Sequence, residues 1–149
     1  MGEWSERDAR QLKVRITRAQ LRENASIEDI DYAHPRNLDR SVIQRLSNCR
    51  WVRECENLLI TGTSGLGKTW LACALAQKAC RDGHTALYTR APRLWEELAV
   101  AQGSGTFAKT IDRLSRPAVL IIDDFEAVKK YGRDPSQPIL SPIGFEKVE

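Results

Sequence analysis

The octapeptide Gly62-Thr63-Ser64-Gly65-Leu66-Gly67-Lys68-Thr69 fits G-x-x-x-x-G-K-[ST] at every fixed position. It constrains the fold because the pattern works only as a turn from a strand into a helix. Glycines let the backbone wrap a phosphate chain, so that successive N–H groups point inward. A helix beginning near Lys68 adds the positive end of its dipole to that anion site. Lys68 can reach the β- and γ-phosphates of a nucleotide, and the Thr69 hydroxyl is placed to ligate Mg²⁺. The flanks agree. Asn57-Leu58-Leu59-Ile60-Thr61 is an apolar run of strand length. Thr69 to Arg81 reads as a helix with Leu71, Ala72, Leu75, Ala76 and Ala79 on one stripe, stopped by Asp82-Gly83.

The alternation continues downstream. Thr85 to Thr89 reads as a second strand, and Pro92 opens a helix through Leu94, Trp95, Leu98 and Ala99 that Gly103-Ser104-Gly105 breaks. Another helix is expected over Phe107 to Leu114, and a third strand over Ala118 to Asp123, introduced by Pro117. Apolar strands without polar alternation indicate an α/β fold with a parallel sheet covered on both faces. The third strand, Val119-Leu120-Ile121-Ile122-Asp123-Asp124, ends in two acids at the carboxyl edge, where parallel sheets bind ligands. Asp123 is suited to hold Mg²⁺, directly or through water. Asp124 is positioned to orient or polarise an attacking water. A solvated strand end is the plainer reading of the same pair.

Ahead of the core, Arg7 to about Asn24 reads as a basic helix and Leu38 to Trp51 as a second, separated by an irregular connector. Arg15, Arg18 and Arg22 fall at spacings of three and four and are expected on one face. That face suits DNA phosphates, and it suits equally a solvated surface or a helix packed on a neighbouring subunit. The net charge of +3 permits modest nucleic-acid affinity without arguing for it. Cys49, Cys55, Cys73 and Cys80 form no CxxC pair, so reduced, mostly buried thiols are a better reading than a zinc site. No run approaches a membrane span, and residues 1–20 lack the apolar stretch of a leader, so a cytoplasmic chain is expected.

Beyond the P-loop, several segments resemble the IstB-like ATPases, helpers of insertion-sequence transposition related to DnaC-like helicase loaders within the AAA+ class. They are Ser26-Ile27-Glu28-Asp29-Ile30-Asp31-Tyr32, Trp51, Glu56 to Gly62, Gly65 to Ala72, Leu94-Trp95-Glu96-Glu97-Leu98, and Leu120 to Phe125. The resemblance covers roughly residues 5–125. It implies a three-layer P-loop fold of AAA+ type, ATP and Mg²⁺ as cofactors, and DNA, a transposase and further copies of the chain as partners. By the same resemblance Lys68 and Thr69 inherit the phosphate and magnesium roles, Asp123 the magnesium-binding carboxylate and Asp124 the position of the catalytic acid. Many AAA+ proteins carry Glu there, one methylene longer.

The resemblance ends at Phe125, and the chain divides into a helical segment 1–56, a partial ATPase core 57–125 and an unrelated, irregular tail 126–149. In the implied arrangement another strand lies between the P-loop strand and the strand bearing Asp123. Without it the two stand about 10 Å apart, with backbone groups lacking partners. The expectation is therefore of a chain truncated after the second acidic motif, binding ATP but hydrolysing it poorly. A helicase loader, a small-molecule P-loop kinase and a non-catalytic DNA-binding fragment are the competing readings.

Overall fold

A computed structural model describes residues 5–33, 38–62 and 65–125. The chain begins with α1 (Glu6–Ala19), then a single 3₁₀ turn at Ile27–Asp29, α2 (Arg40–Ser47) and the short α3 (Arg50–Arg53). The α/β part follows as α4 (Lys68–Arg81), β1 (Ala86–Arg90), α5 (Ala91–Ser104), α6 (Phe107–Ser115) and β2 (Val119–Asp123).

Local chemistry sets most of the ends. Ser5 and Asp8 close a capping box on α1, the Ser5 hydroxyl accepting from the Asp8 N–H and the Asp8 carboxylate from the Ser5 N–H. Asp39 caps α2 by accepting from the Ser41 N–H at 2.8 Å. At the end of α4, Gly83 adopts φ 93°, while the N–H of His84 reaches back to the Ala79 carbonyl at 2.9 Å.

Three expectations need correction. First, α1 stops at Ala19, because Gln20 turns left-handed at φ 52°. The turn brings Leu21 and the fully enclosed Ala25 back against α4, and that burial outweighs continued basic helix. Arg22 therefore lies off the helix. Second, the helix expected over Leu38 to Trp51 is broken at Cys49, φ 56°, which buries its thiol in the core. Third, Asn57–Thr61 is not a strand; it pairs with nothing among the described residues, and Leu59 is 61% exposed. A run of strand composition becomes a strand only against a partner.

The two strands that do form are parallel, in the register Ala86↔Val119 to Arg90↔Asp123. One face, carrying Ala86, Tyr88, Val119 and Ile121, packs on α1 and α4. The packing surface of α4 consists of Cys73, Ala74, Ala76, Ala79 and Cys80, small side chains that let helix and sheet approach closely. Because Ala19, Cys49 and Val52 join the same cluster, the N-terminal helices and the α/β part share one core. The opposite face meets α5 at β1, but Leu120 is 36% exposed, so the double-sided cover expected of the sheet is incomplete among the described residues. No helix there is long and apolar enough to cross a membrane.

Candidate nucleotide site

The P-loop leads into α4 through glycines in backbone states that other residues adopt with strain: Gly65 at φ 84° and Gly67 at φ 83°. Thr63 and Ser64 lie outside the described residues. Gly67 occupies the cap position of α4 and offers no side chain to the first-turn N–H groups, which leaves them as donors for an anion. The Lys68 ammonium folds back over the loop and donates to the Gly62 carbonyl. Beside the loop a shallow open cleft is walled by Ile30, Leu38, Ile60, Leu66, Trp70 and Leu71.

At the carboxyl ends of the strands, Asp123 gathers the donors. The Thr69 hydroxyl donates to its Oδ2 at 2.8 Å and the Tyr88 hydroxyl to the same oxygen at 2.5 Å; the Asp124 N–H donates to Oδ1 at 2.9 Å. Burial works against the charge of Asp123, but these hydrogen bonds and the nearby Arg22 outweigh it and hold its carboxyl below the usual range. Thr69 and Asp123, 54 residues apart, are thus brought together. A hydroxyl beside an ionised carboxylate is a hard-oxygen donor set of the kind Mg²⁺ takes, and the residues fit that ion. Asp124 is exposed and left-handed at φ 56°, and the Arg90 guanidinium grips its Oδ2 through Nε at 2.8 Å and through a terminal nitrogen.

The arginines proposed for DNA do not share one face. Arg15 donates from Nε to the Cys80 carbonyl at 2.9 Å, tying α1 to the last turn of α4. Arg18 is exposed on α1. Arg22 is exposed, beyond the end of α1, with its charge near Tyr88 and Asp123. Sequence reasoning missed Tyr88 and Arg90 altogether. The signal was available: both lie on the strand that pairs with β2, and period-two alternation puts Tyr88 on the face of Ile121 and Asp123.

A phosphate-wrapping loop between Ile60 and α4, with an acid at the end of a neighbouring parallel strand, defines a P-loop nucleotide-binding protein. The family model described as IstB-like ATP-binding protein matches residues 1–134, and the chain belongs to that family. The match runs past Phe125, where the sequence reading had ended it. Among relatives, a Sinorhizobium fredii protein named as insertion sequence ATP-binding protein y4pL is 46% identical over 83% of this chain and 50% of its own length. A Pseudomonas fluorescens protein named for insertion sequence IS1162 is 45% identical over 80% of the chain and 52% of its own length. A Pseudomonas aeruginosa protein named for IS21 is 33% identical over 82% and 46%. The chain spans about half the length of the curated relatives it matches.

Proposed function

We propose that this chain is an ATP-binding helper of insertion-sequence transposition, of AAA+ type, that holds MgATP at Gly62–Thr69. The observation that carries the reading is the meeting of Thr69 with Asp123 at the N-terminus of α4, beside a loop whose donors are uncapped. Lys68 leaves the Gly62 carbonyl for the β- and γ-phosphates, and the first-turn N–H groups of α4 take the remaining phosphate oxygens. Thr69 and Asp123 would hold Mg²⁺, which when bound supplies neutralising charge to the phosphate chain.

Asp124 stands where an attacking water would be oriented, but its carboxylate is engaged by Arg90. Hydrolysis by the chain alone is accordingly slow. The exposed basic side chains of α1, Arg18 among them, contact DNA phosphates within the segment 1–56, while 57–125 forms the nucleotide-binding part; residues 126–149 lie outside the described residues and outside this assignment. Arg15, tied to the Cys80 carbonyl, takes no part in that contact. A transposase and further copies of the chain are the proposed protein partners, in keeping with the insertion-sequence names of the relatives.

Thermal unfolding with and without MgATP, for the native chain and Lys68→Ala, tests the reading. At a hundredfold excess over Kd, binding adds about 2.7 kcal/mol of stability. That gain is expected in the native chain and absent in Lys68→Ala. A melting transition indifferent to MgATP in both would overturn it.

A further inference from the structure

Tyr88 is buried among Ala25, Cys73 and Ala74, surroundings in which a phenylalanine would fill the same space. Its hydroxyl is the exception to that apolar setting. It emerges at the site edge of the sheet and donates to Asp123 Oδ2, the oxygen that also accepts from Thr69. The strand pairing explains the reach: Tyr88 is level with Ile121, and Asp123 lies two residues further along β2 on the same face.

An ionised carboxylate offers about four lone-pair positions. Three are taken, by Tyr88, Thr69 and the Asp124 N–H. Three donors, from α4, from β1 and from the residue after β2, fix the carboxylate in one rotamer. The remaining position stays available for a cation or its water. Since Thr69 spends its hydrogen on Asp123, the lone pairs of its oxygen are also left for the cation. Removing the Tyr88 donor would free Asp123 to rotate and release the Thr69 hydroxyl from its orientation.

We propose that Tyr88 is a positioning residue for the Mg²⁺ site, its hydroxyl holding Asp123 so that Asp123 in turn orients Thr69. The proposal rests on the reading of the P-loop as a MgATP site and adds to it a residue from a different strand. Partners that orient a ligating group commonly change metal affinity tenfold or more when lost. Arg22 adds positive charge near Asp123.

The test is calorimetric titration of the full chain with ATP, once in Mg²⁺ and once in EDTA, for the native protein, Lys68→Ala, Tyr88→Phe, Asp123→Asn and the double variant Tyr88→Phe/Asp123→Asn. The quantity read is the gain in ATP affinity that Mg²⁺ confers. Tyr88→Phe is expected to leave affinity in EDTA within about twofold of native and to reduce the Mg²⁺ gain by about five- to tenfold. Asp123→Asn is expected to abolish the gain, and Tyr88→Phe to add no further loss in that background. An undiminished gain in Tyr88→Phe overturns the proposal. So does an equal loss in EDTA and in Mg²⁺, the mark of a merely structural tyrosine. If the native chain binds ATP no better than Lys68→Ala, the P-loop reading itself falls, and this proposal with it. Lys68-dependent binding with an unaltered Tyr88→Phe defeats the proposal alone.

Discussion

Two segments of nearly the same composition meet different fates. Val119–Asp123 is a strand, locked in register with β1 and ending in a carboxylate that three donors hold. Asn57–Thr61, nearly as apolar, forms no ladder among the described residues and leaves Leu59 largely in solvent. Composition supplies the side chains a sheet can bury, but the ladder needs a neighbour for every N–H and C=O. The difference bears on the site, since one segment delivers Asp123 and the other delivers the start of the P-loop. The Asp123 half of the candidate site is thus firmly tied, and the P-loop half follows a segment with no ladder among the described residues.

Hydrogen exchange is the most direct way to break that contrast. The ladder amides of β1 and β2 are expected to exchange at least about 100-fold more slowly than those of Asn57–Thr61. Equal protection would mean that the segment is paired in solution. Side-chain truncation sharpens the comparison on a smaller scale. Leu75→Ala, in the buried surface of α4, is expected to cost about 2–5 kcal/mol in denaturant unfolding. Leu59→Ala is expected to stay within about 0.5 kcal/mol. A large loss at Leu59 would show that its segment is covered.

A further effect, smaller than the loss at Leu75, concerns pH. Glu28 receives both terminal nitrogens of Arg81, at 2.8 and 3.0 Å, and the Ser26 hydroxyl. These bonds, that of Arg81 foremost, hold its carboxyl at about 2 against an ordinary 4.5. A folded pKa below the unfolded one contributes stability above pH 4.5, lost as pH falls toward 2. Because the Glu28 side chain is 56% exposed, the contribution is held to about 1 kcal/mol or less. Glu28→Gln should flatten the stability profile between pH 4.5 and 2 by that amount, measured by urea midpoints across the range. An unchanged profile would remove the ion pair from the ties between the N-terminal segment and α4.

The parts legible in the sequence were those where chemistry dictates residue type at fixed spacing. The P-loop glycines, the stop at Asp82-Gly83, and the apolar strand ending at Asp123 all stand where expected. What escaped was decided by long-range contact. Nothing local in Gln20 or Cys49 announces a left-handed turn; the burial of Leu21, Ala25 and the Cys49 thiol imposes it. Arg22 looked like one more positive charge on a helix, and only the path of the chain after Gln20 turns it toward Tyr88 and Asp123. Asn57–Thr61 has the composition of a strand and lacks a described partner, a fact that composition cannot carry.

The sulfur atoms make the closely packed interior chemically readable. Cys73 and Cys80 sit on the enclosed side of α4 and Cys49 beside them in the core, while Cys55 alone is exposed. Burial pushes the Cys49 thiol up to about 11, so little nucleophilic thiolate exists there at neutral pH. An alkylating reagent meeting the folded chain therefore finds one reactive sulfur and three that answer only when α4 lifts from the sheet. Cys73 lies a single helical turn beyond Thr69, so its labelling clock runs on the same piece of helix that the proposed function assigns to the phosphates.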